Sequence, residues 1–155
     1  MIGNLYTLQI GAQAQTASKT LIELTAASSS ILVLERFQIG QNSFDTSENL
    51  GYKIQRVTTT GTGTDSSAAV APTQAGTAAA TAGAFKTNLT IEPTYTANKV
   101  LYQTGFNCLS GGLWTPANDD EVFSIAPSAL LGCMLDVAPS ASMNFSYGCT
   151  IRQIG

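Results

Sequence analysis

Alternation of hydrophobic and polar residues with a period of two runs through the chain and predicts β-strands. The clearest example is the C-terminal segment 142–154, in which the alternate positions hold Met143, Phe145, Tyr147, Cys149 and Ile151. Successive side chains of a strand point to opposite faces. One face of this strand is therefore expected to meet a core, and the other to meet water or a partner.

The same pattern predicts further strands in the segments LYTLQI, KTLIEL, SILVLERFQI, LGYKIQRV, FKTNLTIE, KVLYQTGF, EVFSI and LLGCMLDV. The residues expected to face inward are Leu50, Tyr52, Ile54, Phe85, Leu89, Ile91, Val100, Tyr102, Phe106, Leu131, Cys133, Leu135 and Val137. In the third of these segments, the residues expected to share one face are Ile31, Val33, Phe37 and Ile39. Leu32 and Leu34 lie on its other face, so the beginning of this strand is expected to be covered on both sides.

Eight or nine strands of this kind, separated by clusters of Gly, Pro, Asn and Ser, favour an all-β fold. No segment shows a strong helical periodicity. We predict an antiparallel β-sandwich, jelly-roll-like, because a jelly roll fits this strand number and length. The 155 residues are the size of one domain, so residues 1–155 are predicted to form a single sandwich.

The stretch 58–84 consists almost entirely of Thr, Ala, Gly and Ser. A linker between two domains is disfavoured, because each flanking half would supply a single sheet with one face exposed. We therefore predict one long Ala/Thr/Gly-rich loop inside the domain, which crosses from one sheet to the other. Residues 75–84 are a weak candidate for a turn of helix, since Thr and Gly disfavour helix.

Charged residues make up 11% of the chain, against roughly 25% in an average soluble protein. A surface so poor in charge favours association with other proteins, although a monomer with a Thr/Ser-rich surface stays open. The seven Lys and Arg are scattered, which argues against binding nucleic acid. The N-terminal segment lacks the features of a secretory signal, and no apolar run could span a membrane. Synthesis in the cytoplasm, without membrane association, is the resulting expectation.

The sequence contains no histidine, which excludes Ser-His-Asp and Cys-His catalysis and any histidine-based metal site. It also contains no phosphate-binding loop. We predict that the protein is not an enzyme, with no catalytic, cofactor-binding or metal-binding residues.

Three features remain as candidates for a binding or structural role. The acidic cluster Asn118–Glu121 is interpreted as a solvated turn, with a calcium site and catalysis as the alternatives. Trp114 fits either an exposed anchor for a partner or a core position. The cysteines, Cys108, Cys133 and Cys149, are predicted to be buried free thiols, with a disulfide between two of them as the alternative.

Several segments taken together resemble a known group of proteins: KTLIELTAASSSILVLERFQIG, YKIQRVTTTGTGT, APTQAGTAAATAG, TIEPTYT, GGLW and APSALLGCMLDVAPSASMNFSYGCTIRQI. Over residues 19–154 the chain resembles small jelly-roll-like virion proteins of bacteriophages, of the capsid decoration or cement type. The three cysteines depart from that pattern.

The resemblance implies a non-enzymatic protein on the capsid surface of a virion, bound to the major capsid protein and stabilising the particle. It also implies a homo-oligomer, with a trimer favoured, and no catalytic residues. The alternative is a binding module on a tail or fibre that recognises a host glycan or receptor, using Trp114 and the Asn118–Glu121 segment.

Overall fold

A computed structural model describes residues 3–43, 46–77 and 83–155. They form β1 (Asn4–Gln15), β2 (Lys19–Ala26), β3 (Ile31–Gln41), β4 (Asn49–Thr59), β5 (Thr62–Asp65), a 3-10 helix (Ser67–Ala69), β6 (Ala71–Pro72), β7 (Gly83–Ile91), β8 (Thr94–Asn107), β9 (Gly112–Trp114), β10 (Phe123–Ile125), β11 (Leu130–Leu135) and β12 (Met143–Ile154). The strands outnumber the predicted eight or nine because β5, β6 and β9 are too short to show alternation.

The strands form two antiparallel sheets. Sheet I has the order β10-β3-β12-β1-β6, and β9 pairs with β3 as well. Sheet II has the order β5-β7-β2-β11-β4-β8. The predicted all-β class with two antiparallel sheets, as in a β-sandwich, is confirmed.

One cluster of buried side chains from both sheets forms the core. In β12 all five residues predicted to face inward are buried, as are Leu50, Tyr52 and Ile54 of β4. Burying such a side chain contributes about 1.5–3 kcal/mol relative to leaving it in water. The alternating pattern therefore marks the faces that hold the two sheets together.

The prediction of which β3 residues share a face is wrong for the first half of the strand. Leu32 and Leu34 belong to the core cluster together with Phe37 and Ile39, whereas Ile31 does not. The register between β3 and β12 shifts beside Glu35, where a β-bulge adds one residue and reverses the alternation. The prediction that this beginning is covered on both sides is nevertheless confirmed, because the successive residues 32–34 are all buried.

Three predicted inward positions are exposed: Ile91, Val100 and Val137. Each lies where a strand ends or is distorted. Ile91 is the last residue of β7, Val137 follows the end of β11, and the pairing of Val100 in β8 adjoins a register shift. Alternation of residue types continues in the sequence beyond the point where regular pairing stops.

Much of the stretch predicted as a loop is paired with its neighbours. β5 pairs with β7 in sheet II, and β6 pairs with β1 in sheet I. The intervening residues include the 3-10 helix. The helical turn suggested for residues 75–84 falls largely on residues 78–82, which lie outside the described residues.

Candidate functional site

The outer face of sheet I, called the open face below, is formed by the outward side chains of β1, β12 and β3. No charged residue occurs in residues 4–15, 37–41 or 143–151 of these strands. The nearest charges are in β3 and near the end of β12. Arg152 and Glu35 form an ion pair with an Nε–Oε1 distance of 2.5 Å. The exposed Arg36 lies in the middle of β3, two residues from Gln38.

Small and amide side chains fill the centre of the open face. Gln9, Gly148 and Gln38 lie side by side on the three strands. The Gln38 amide donates to the Gln9 carbonyl oxygen at 3.0 Å, so the two side chains meet across the middle strand. A Cβ on Gly148 would lie 2.5 Å from that oxygen. The glycine therefore lets the amide bridge lie flat on the sheet.

A groove of about 480 Å³ lies over part of this face. It is lined by Gln38, Gly40 and two leucines, Leu109 and Leu113, among other residues. These leucines are 42% and 54% exposed. The groove therefore combines amide and hydroxyl groups and one cation, Arg36, with apolar side chains, which suits contact with another protein surface.

The outer face of sheet II is covered by the chain itself. Glu23 of β2 is fully buried, and its carboxylate accepts hydrogen bonds from the Gly61 N–H at 2.8 Å and from the Thr60 hydroxyl. Lys86 Nζ lies 3.8 Å from the same carboxylate. These contacts tie the connection between β4 and β5 to β2 and β7.

Tyr95 of β8 reaches across the same sheet. Its hydroxyl lies 2.6 Å from the Thr20 hydroxyl, which donates to Glu92 at 2.5 Å. The ring passes over Gly132, where a Cβ would lie 2.5 Å from the tyrosine oxygen. Burial raises the pKa of Tyr95 above its ordinary value. The sequence analysis did not predict these contacts on sheet II. The only signal in the sequence is Glu23, a glutamate inside the apolar segment KTLIEL, which indicates a buried carboxylate.

A second cavity, called the Trp114 cleft below, has a volume of about 600 Å³ and lies between β8 and the segment 113–123. The rings of Trp114 and Phe123 stack in parallel, with centroids 4.5 Å apart and planes at 11°. Tyr102 of β8 lies 6.3 Å from the indole. Asp120 and Glu121 add two acidic residues to the wall of the cleft.

The segment Asn118–Glu121 folds as a turn, as predicted. The Glu121 N–H donates to the Asn118 carbonyl oxygen at 3.2 Å, and the Asn118 amide donates to the Glu121 carboxylate at 3.0 Å. Within residues 3–43, 46–77 and 83–155, no group of three or more His, Cys, Asp or Glu side chains is arranged to hold a metal ion. The calcium alternative thus gains no support.

Trp114 is only 5% exposed, so the core position is confirmed and the exposed-anchor alternative is wrong. It still forms part of the cleft wall. The structure therefore places Trp114 beside Asp120 and Glu121, which are separate features in the sequence.

All three cysteines are free and buried, as predicted. Burial raises the pKa of Cys149 to about 12 and that of Cys133 well above its ordinary value. The Cys108 thiol accepts from the Glu48 N–H at 3.1 Å and donates to the Thr46 carbonyl oxygen at 3.0 Å. The burial of all three cysteines and the raised pKa values of Cys133 and Cys149 indicate a structural role, since reactive cysteines have accessible thiolates.

No protein-family model, curated protein or solved structure matches this chain. In the part of the chain that the structure describes, no helix is long and apolar enough to cross a membrane.

Proposed function

We propose that this protein is a non-enzymatic structural component of a bacteriophage virion, which binds the capsid surface as a decoration or cement protein. Its partner is the major capsid protein, and it acts as a homo-oligomer, with a trimer favoured. The support is the resemblance of its sequence pattern to such proteins, together with the open face of sheet I.

The open face is the main structural support for the proposal. Three long neighbouring strands present an outer surface on which residues 4–15, 37–41 and 143–151 carry no charge, and Arg36 is the exposed cation beside them. Soluble surfaces usually intersperse charges of both signs, whereas the buried cores of interfaces are depleted in them. Sheet II covers its outer face with its own chain, but the open face has no such cover among the described residues. Such a surface suits burial against a protein lattice.

A jelly roll is the proposed topology. Apart from β5, β6 and β7, the strands pair from the outside of the sequence inward: β1 with β12, β2 with β11, β3 with β9 and β10, and β4 with β8. This nested pairing is expected when one long antiparallel ribbon wraps around a core, as in a jelly roll. On this interpretation β5, β6 and β7 are an insertion between the fourth and fifth strands of the roll.

Binding to the assembled shell would stabilise it by mass action, because the protein would bind the shell better than free subunits. The test adds purified protein to shells of the parent phage that lack it. We expect co-sedimentation with the shells and a higher temperature of shell disruption. Absence of binding, with an unchanged disruption temperature, would contradict the proposal.

The alternative of a tail or fibre module that binds a host glycan predicts a different location. Electron micrographs of particles carrying gold-labelled protein separate the two. Label over the whole head supports capsid decoration. Label confined to the tail, with binding of free protein to host cells, would support the alternative.

A further inference from the structure

The Trp114 cleft has a negative, aromatic wall. Asp120 and Glu121 contribute two carboxylates, and its lining, as far as the structure describes it, contains no Lys or Arg. Glu121 is engaged by Asn118 and by the Ala117 N–H, whereas the Asp120 carboxylate makes no hydrogen bond to a described residue. The cleft therefore offers an acceptor with no internal cation to neutralise it.

The indole of Trp114 provides a second, independent feature. The residue is only 5% exposed and lines the cleft. Its N–H has no acceptor among the described residues. The indole nitrogen is not among the fully buried polar atoms, so its N–H stays accessible to an acceptor from outside the chain, and Trp N–H groups commonly bond such an acceptor. The cleft thus combines an unused donor with an unused acceptor on one aromatic wall.

We propose that the Trp114 cleft binds an arginine side chain presented by a polypeptide segment of a partner protein. The planar guanidinium group donates to carboxylates and stacks on aromatic rings, which matches Asp120 and the partly exposed ring of Phe123. A backbone carbonyl of the same segment supplies the acceptor for the indole N–H. This binding site is separate from the proposed capsid role, because it needs only the isolated protein.

The chain offers a direct probe, since Trp114 is its single tryptophan. The experiment titrates purified protein with the peptide Gly-Arg-Gly and follows tryptophan fluorescence, with calorimetry as an independent measure of binding. The control peptide replaces arginine by citrulline, which has nearly the same shape without the charge. We expect a saturable response to the arginine peptide and affinity for the citrulline peptide weaker by about tenfold or more, as loss of a charged hydrogen bond implies.

Two neighbouring variants sharpen the test. Asp120→Asn removes the free carboxylate and should reproduce the tenfold loss, whereas Asp119→Asn alters an adjacent acidic residue that does not line the cleft and should retain binding. Circular dichroism confirms that both variants fold. No saturable binding of the arginine peptide, equal affinity for the citrulline peptide, or equal loss in both variants would overturn the proposal. Binding of methyl glucoside in place of the arginine peptide would overturn it in favour of a saccharide site.

Discussion

The outer faces of the two sheets differ in how they are covered. On sheet II, the buried Glu23 carboxylate and the Tyr95 side chain hold neighbouring segments against the strands. On sheet I, Gln9 and Gln38 form an amide bridge directly on a sheet surface that is poor in charge. The chain thus satisfies the polar groups of one face internally and leaves the other face uncovered among the described residues, and we propose that a partner covers it. Substitutions should therefore change stability on sheet II and binding on sheet I.

The largest effect is expected from Glu23→Ala. This change leaves the Gly61 N–H and the Thr60 hydroxyl without their acceptor, and removal of one partner from a buried charged network costs about 3 kcal/mol. Urea unfolding measures the loss. The control is Glu35→Ala, which breaks the partly exposed pair with Arg152 and should cost about 1 kcal/mol or less. Equal losses in both variants would contradict the difference between the faces.

A pair of glycine substitutions gives the next largest effect. A Cβ at Gly132 would meet the Tyr95 hydroxyl at 2.5 Å, so Gly132→Ala must displace a side chain held by Thr20. We expect a loss of about 2 kcal/mol from this overpacking. At Gly40, on the open face, a Cβ would meet nothing within 4 Å, and Gly40→Ala should change the free energy of unfolding by about 0.5 kcal/mol or less. Thermal denaturation compares the two, and a larger loss at Gly40 would be inconsistent with an uncovered face.

Alkaline pH should lower the free energy of unfolding through buried groups in the core between the two sheets. Burial raises the pKa of Cys149 and that of Tyr147 to about 12 each, so the folded state holds their protons more tightly than the unfolded chain does. Their contribution to the free energy of unfolding is fully present below the pKa values of the unfolded chain, about 8.5 for Cys and 10 for Tyr. It is lost as pH rises toward 12. Urea unfolding between pH 7 and about 11 should show this decline. In Cys149→Ala the decline should be shallower, and an unchanged slope would exclude Cys149 as a contributor.

Residue patterns predicted the fold where a strand is long and regular. In β12, five alternate residues were assigned correctly because pairing continues on both sides of the strand. The bulge beside Glu35 depends on how β3 pairs with β12, so the alternation within β3 alone could not reveal it. Short strands such as β5 and β6 likewise owe their existence to partners distant in sequence.

The candidate sites were less predictable than the fold. Trp114 and Asp120 were both noted, but their common cleft depends on β8 lying beside the segment 113–123. The contact between Glu23 and Gly61 joins residues 38 positions apart and leaves no local pattern. The open face could be anticipated only as a general shortage of charge, because its three strands come from opposite ends of the chain.

The most direct test of the central claim places charge on the open face and measures capsid binding. The double variant Gln9→Lys with Ser146→Lys introduces two cations there, and Gln103→Lys adds one on an exposed position of β8, within reach of Asp136. All variants should unfold within about 0.5 kcal/mol of the parent protein, since surface substitutions rarely cost more. The account predicts that the double variant loses co-sedimentation with capsid shells while Gln103→Lys retains it. Retained binding by the double variant, or its loss only in Gln103→Lys, would contradict the account.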